Sequence, residues 1–268
     1  MIERKAQHMK GLIDVLEGLK SWKLAFFLAF ADIRQRYRRS TLGPFWITIS
    51  TAVMVACLGL IFGSIFKSPL KDFLPFLATG LIIWSFISSS LTEATTVFLS
   101  SQAVIKQLPL PLFVHVLRMV FRNFYIFLHN IVIIPFVLIL VQRPIGWDIL
   151  CFLPGLLILA INLLWMSLLL GIICSRFSDL TQIVISCLQI VFYVTPIIWM
   201  PALLPARESV MVLQPNPFYH LMEIVRSPIM NIAPTSFNWL YSLILLLLGW
   251  TTTILIYNKC RSKIAYWL

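Results

Sequence analysis

Residues 149–174, ILCFLPGLLILAINLLWMSLLLGIIC, run from Ile149 to Cys174 without one charged side chain. A helix rises 1.5 Å per residue and the hydrocarbon core of a bilayer is about 30 Å thick, so about 20 mostly apolar residues make one crossing. This stretch reads as a membrane span, and five more runs of the same kind lie to either side of it. Their approximate bounds are 43–66, 73–95, 111–141, 183–199 and 237–257. Gly43-Pro44 is a helix-opening signal for the first. The run over 111–141 is long enough to tilt or to project from the bilayer. The fold expected is an all-α integral membrane protein with six transmembrane helices.

Composition points the same way. The chain has 268 residues, 60% hydrophobic and 12% charged, against roughly 45–50% and 25% in soluble domains. A soluble protein is excluded, and no length is left for a separate soluble domain. The first apolar run starts only near Leu42, after a polar and basic opening, so a cleavable secretory leader is not expected. Cys57, Cys151, Cys174, Cys187 and Cys260 are far apart with no CxxC, and read as small buried hydrophobes.

Ahead of the first span, residues 1–41 form a polar N-terminus containing one amphipathic helix. Between 11 and 39, Leu12, Val15, Leu16, Leu19, Trp22, Phe26, Phe30, Ile33 and Tyr37 recur at three- and four-residue spacing. Most of the charges fall off that face, and no apolar run in it is long enough to cross. It is expected to lie in the membrane interface.

The formal charge of +11, from 21 Lys and Arg against 10 Asp and Glu, would suggest nucleic acid in a soluble protein. Here it reports orientation. With loops assigned alternately, sixteen of the basic residues fall on the side of the N-terminus; the other side holds Lys67, Lys71, Arg143, Arg207 and Arg226. Cytoplasmic loops collect Lys and Arg, which places both termini in the cytoplasm. No role with nucleic acid is expected.

Between the fifth and sixth spans, six prolines interrupt the apolar stretches of residues 200–236. Asn216-Pro217 is a cap followed by a first-turn proline, and Pro228 closes a half-helix from Phe218 to Arg226. Irregular backbone at membrane depth is tolerable only against protein or a wet cavity, so this segment is expected to dip in from outside and close a pathway.

Several chemistries find no support. No GxxxxGK[ST] pattern is present, so ATP and Mg would have to be bound by a separate ATPase. His8, His115, His129 and His220 show no paired spacing, and there is no nucleophile elbow; neither catalytic residues nor a metal site is expected. No internal repeat is visible, which argues against carriers built from inverted repeats.

The densest charge cluster is Arg34, Arg36, Arg38 and Arg39 around Tyr37. It has two readings, phospholipid-headgroup and topology contacts, or recognition of a substrate pyrophosphate by guanidinium forks. Glu93, Arg118, Arg122, Glu223 and Arg226 lie in or beside apolar runs, where a charge must be paired or wet. Arg118 and Arg122 either snorkel or face a cavity; Glu223 and Arg226 are spaced to pair. Most tryptophans fall near span ends, as interfacial belts do, while Phe192, Tyr193, Trp199, Phe218 and Tyr219 are candidates to line a sugar pathway or its gate. Gly59 and Gly63 form a GxxxG, a sign of close helix packing.

Two stretches carry a family resemblance. Asp32-Ile-Arg-Gln-Arg-Tyr-Arg-Arg-Ser-Thr-Leu-Gly-Pro-Phe-Trp46 resembles the segment at the start of the first span in ABC-2 type permeases of polysaccharide exporters, closest to the O-antigen (lipopolysaccharide) export permeases. Asn216-Pro-Phe-Tyr-His-Leu-Met-Glu-Ile-Val-Arg-Ser-Pro228 resembles the second marker of that family. The resemblance implies a homodimer of six-helix subunits around a channel in the bacterial inner membrane. It also implies two copies of an ABC ATPase and an undecaprenyl-pyrophosphate-linked glycan as cargo. On it, Leu42, Gly43 and Pro44 make the loop from interfacial helix to first span, and residues 99–108 a coupling helix. The coupling helix would meet the ATPase through Ser100, Gln102, Lys106 and Gln107, the loop 176–182 would add Asp179, and 201–233 would be gate helices. Capsule and teichoic-acid exporters share the pattern. A membrane-embedded enzyme acting on lipid-linked sugars is a rival, although Asp72, Asp148, Asp179 and Glu208 are single carboxylates in loops; a channel or secondary carrier, working without an ATPase, is another.

Overall fold

A computed structural model describes residues 10–38, 40, 43, 45–203 and 205–268, apart from the side chains of residues 206 and 209. Every regular element among them is helical. Five stretches are long and apolar enough to cross a membrane: Phe45–Ile65 (α3), Leu70–Ala94 (α4), Phe113–Leu140, Trp147–Arg176 and Ser236–Trp267 (α13). The third divides into α7 (Phe113–Ile131) and α8 (Ile133–Leu140), and the fourth is a 3₁₀ turn leading into α9 (Phe152–Arg176). The break at Val132 has a local cause. Pro135 has no N–H to give the Ile131 carbonyl, and its ring crowds the preceding turn.

The run expected over 183–199 is a shorter helix, Leu180–Val194 (α10), roughly 22 Å long at 1.5 Å per residue. Thr195 precedes Pro196, a position that disfavours helical backbone, and its ψ is 135°. Five helices, not six, therefore qualify as spans by length and composition.

The helix α4 is the axis of the bundle, with α3, α7, α8, α9 and the helix Pro217–Ile229 (α12) packed around it. Two close approaches depend on glycine. A Cβ on Gly59 of α3 would run into the Leu74 side chain, and one on Gly155 of α9 would run into the Ile224 carbonyl. That carbonyl is free because Pro228, four residues on, has no N–H to donate to it. The helix α12 continues past Pro228 to Ile229 rather than stopping at it.

Of the cysteines only Cys174 is buried; Cys57 and Cys187 are exposed, and Cys151 and Cys260 are half-buried. The expectation of five buried cysteines is corrected here. An apolar stretch in a membrane protein has one face on the bundle and one on lipid, and periodicity does not say which face a small side chain takes.

The single amphipathic helix expected over 11–39 is two helices, Lys10–Lys20 (α1) and Trp22–Arg36 (α2), parted at Ser21. Their small residues face the protein: Gly11, Gly18, Ala25 and Ala29 are buried, while Leu16, Trp22, Phe26, Phe27 and Phe30 are exposed. A second buried cluster, separate from the one around α4, joins these helices through Val15 and Ala25 to Phe98, Phe113, Tyr257 and Ile264. It marks the basic end of the bundle, where α1, α2, the 95–112 connection and the last turns of α13 meet.

Candidate functional site

At the basic end, an ion-pair network fastens α2 to the bundle. Asp32 on α2 accepts from Arg118 Nε at 2.7 Å and from its Nη2, a two-pronged fork, and from Arg122 Nη1 at 3.1 Å. Arg122 Nη2 also donates to Glu93 at the end of α4 at 2.6 Å, beside Asn123 Nδ2 at 2.9 Å. The fork geometry matches a planar guanidinium to a planar carboxylate, the strongest form such a pair takes. Arg118 and Arg122 thus face partners on two other helices, and snorkelling is not their arrangement here.

Partial burial pushes the Asp32 carboxyl up, but Arg118 and Arg122 outweigh it and hold the group below its ordinary 3.8. A folded pKa below the unfolded one stabilises the fold fully above the unfolded value and ceases to do so as pH falls through the folded value. Acidification through and below the ordinary carboxylate range is expected to release α2 before the bundle melts. The Trp22 fluorescence of the full chain would report it as a separate acid transition. The Asp32→Asn variant should lack that transition; its persistence there would remove the assignment.

A second polar centre lies under α1. Asp14, buried, accepts from the backbone N–H groups of Leu112 and Phe113 at 3.1 and 3.0 Å, from Tyr257 Oη at 2.7 Å and from Arg261 Nε at 3.0 Å. It therefore caps the start of α7 while pairing with the end of α13. Asn258 Oδ1 accepts from the Gly11 and Leu12 N–H groups at 2.8 and 3.1 Å and closes the same joint.

The arginine cluster divides. Arg34, Tyr37 and Arg38 line a cavity of about 810 Å³ with Phe30, Gly43 and Tyr125, and neither Arg34 nor Arg38 makes an ion pair among the described residues. Arg36 turns toward Glu93 at 3.9 Å instead. Gly43 has φ +57°, a conformation suited to glycine; Leu42, Pro44 and Arg39 lie outside the described residues.

The stretch expected as one helix over 99–108 is two short ones, Val97–Ser100 (α5) and Gln102–Gln107 (α6). Ser100, Lys106, Gln107 and, in the 177–179 turn, Asp179 are exposed. Gln102 is half-buried and donates to the Leu268 carbonyl, so its side chain is occupied within the chain. The guanidinium of Arg176 lies 5.4 Å from the Trp267 ring.

Along the bundle, Trp84 of α4 lies 5.9 Å from Phe192 and 5.9 Å from Phe218, centroid to centroid, and Phe192 lies 5.2 Å from Tyr193. Trp84, Phe192 and Tyr193 border a cavity of about 530 Å³ together with Ser88, Thr92 and Gln189. Trp199 donates its ring N–H to the Tyr193 carbonyl at 3.0 Å, and Tyr219 packs on His220. In α12, Asn216 caps the helix by accepting from the Phe218 and Tyr219 N–H groups. Glu223 pairs with Arg226, whose guanidinium also reaches the Pro196 carbonyl at 2.6 Å and lies 4.0 Å from the Phe76 ring. Asp14, Trp84, Tyr257 and Arg261 are the members of these centres that periodicity and motif do not single out, and the motif that begins at Asp32 does not reveal its pairing with Arg118 and Arg122. Among the described residues no group of three or more His, Cys, Asp or Glu is placed to hold a metal.

Residues 24–230 match the ABC-2 type transporter family. The O-antigen export system permease protein RfbA of Klebsiella pneumoniae is 28% identical over 243 residues, an overlap of 87% of this chain and 90% of that relative. A second protein of the same description from that organism is 27% identical, with the same shares covered.

Proposed function

The chain belongs to the ABC-2 type transporter family, and from that premise we propose that it exports O-antigen polysaccharide linked to undecaprenyl pyrophosphate across the bacterial inner membrane, as a homodimer driven by two copies of a separate ATPase. As an ABC-2 permease it is a multi-pass membrane protein and a transport subunit, not itself catalytic; permeases of this family work with an ATPase subunit. The observation that carries the choice of cargo is the description of the two Klebsiella relatives, whose likeness extends over nearly the whole chain.

Several features of the geometry fit this reading. Six crossings require α10; its roughly 22 Å falls short of the about 30 Å of a bilayer core, so the bent residues 195–199 and the segment after them would have to complete the crossing. An even number of crossings returns both termini to the basic side, which the excess of Lys and Arg assigns to the cytoplasm. There the exposed residues of α5, α6 and the 177–179 turn form the docking face for the ATPase. Trp84, Phe192, Tyr193 and Phe218 offer flat apolar faces to sugar rings on the path outward, and α12 closes that path.

Arg34, Tyr37 and Arg38 receive the pyrophosphate of the lipid carrier at the mouth of the 810 Å³ cavity. Their guanidinium groups are the cations of the cluster left without carboxylate partners among the described residues. Two charge-assisted contacts are together worth about 3 kcal/mol. Affinity of the purified permease–ATPase complex for a lipid-pyrophosphate analogue is therefore expected to fall on the order of a hundredfold in an Arg34→Gln/Arg38→Gln double variant. An unchanged affinity would falsify this headgroup assignment.

A further inference from the structure

Between the last turn of α4, the α5–α6 break and the first turns of α7 lies a cavity of about 270 Å³ that the reading above leaves unused. A single water takes about 30 Å³, so there is room for a small ion with its first waters. The walls are mostly polar: Ser100 and Ser101 at the α5–α6 break, Thr96, His115, Arg118 and Arg122, with the Glu93 carboxylate, which is held by Arg122, and the apolar Val97 and Met119.

Its donors are in place and unused. His115 is 1% exposed, yet neither Nδ1 nor Nε2 has a hydrogen-bond partner, and Arg122 Nε is buried in the same condition. Buried polar groups in folded proteins are almost always satisfied, so three unpaired nitrogens on two residues of one cavity point to something that satisfies them. At the cavity Arg118 and Arg122 are matched by Asp32 and Glu93; Arg36, half exposed and not part of the cavity wall, adds one further cation 3.9 Å from Glu93.

We propose that this cavity is a binding site for one small oxyanion of phosphate type, held by His115, Arg118 and Arg122 and by the hydroxyls at the α5–α6 break. The lone pairs and remaining O–H of a phosphate match the idle nitrogens: Arg122 Nε donates, and a neutral His115 ring donates from one nitrogen and accepts at the other. The anion bridges the 96–101 connection to α7, so its occupancy sets how firmly the segment carrying α5 and α6 sits on the bundle. The site is distinct from the Arg34 and Arg38 cavity and does not depend on the identity of the cargo.

The test uses the purified, delipidated full chain and radiolabelled inorganic phosphate in equilibrium dialysis, repeated in nanodiscs of neutral and of anionic lipid. One phosphate per chain is expected in detergent, with binding at least tenfold weaker in His115→Leu and several-fold weaker in Ser101→Ala. His115→Leu leaves the Asp32 and Glu93 pairs untouched, and Ser101→Ala serves as the second variant should His115→Leu fail to fold. Phosphate bound in neutral nanodiscs but excluded from anionic ones identifies an acidic lipid headgroup as the resident source of the same chemistry. Failure of the wild-type chain to bind phosphate in detergent and in neutral nanodiscs overturns the site, as does equal binding by the variants; the cavity then holds water alone.

Discussion

Asp14→Ala is expected to destabilise the folded chain by about 3 kcal/mol, the lower end of what removing one partner of a buried ion pair does. The aspartate is 2% exposed and accepts four bonds from two other elements, the start of α7 and the end of α13. Its loss strands the two N–H groups that open α7 and the hydroxyl of Tyr257, which is fully buried. Arg261 suffers less, because 37% of its side chain is already exposed and can turn to water. The missing bonds, not an isolated cation, therefore set the size of the effect. Asp14→Asn should lose about half as much, since its carbonyl still accepts while its amide faces donors. Thermal unfolding of the full chain in one detergent, read by light scattering and by Trp fluorescence, measures both. A variant melting within a degree of wild type would dismiss Asp14 as the pin of this joint.

The same joint has a consequence for transport. Leu112 and Phe113 directly follow the connection that carries α5 and α6, so on the proposed function a push on those helices would be delivered through Asp14 to α1 and to the end of α13. On the proposed function, a variant that folds but loses the pin should hydrolyse ATP with its partner while exporting less glycan for each ATP.

How much of this is legible in the sequence depends on distance along the chain. The apolar runs, the cap of Asn216 on α12 and the three-residue spacing of Glu223 and Arg226 are local signals, and local geometry is what periodicity encodes. The motif over 32–46 and the one over 216–228 carry the family. Asp14 and Arg261 are 247 residues apart, and Asp32 and Arg118 are 86 apart. Asp32 opens a motif and Arg118 stands in an apolar run, but nothing in the neighbourhood of any of the four names its partner, because a carboxylate off an apolar face looks the same whether it meets water or a guanidinium. The split at Ser21 shows the same limit. The three- and four-residue recurrence runs through it, while the backbone does not. At Thr195-Pro196 the signal is present, yet the apolar composition of 183–199 outweighs it unless the proline is given priority.

Arg226 is the largest fully buried side chain in the fold, and Arg226→Ala is expected to be the more damaging change, at about 4 kcal/mol. Truncation leaves the Glu223 carboxylate, 14% exposed, with Ser227 as its remaining partner. It also leaves the Pro196 carbonyl without the donor that ties the end of α10 to α12, and it opens space against Phe76. Each loss is magnified where water is scarce, since an unpaired charge in an apolar surround is unfavourable by several kcal/mol. Removing both charges should do less harm than removing one: Glu223→Gln/Arg226→Met keeps the volume and deletes the stranded carboxylate, and about half of the lost stability should return. A double-mutant cycle on the thermal unfolding of the full chain reads the difference as a coupling of about 2 kcal/mol. If the double variant is no more stable than Arg226→Ala, the pair is not what holds α12, and the cation's grip on Pro196 must account for the whole effect. The two cases diverge in function as well. A gate fastened by Pro196 should leak small solutes in both variants, whereas one fastened by the ion pair should reseal in the double variant.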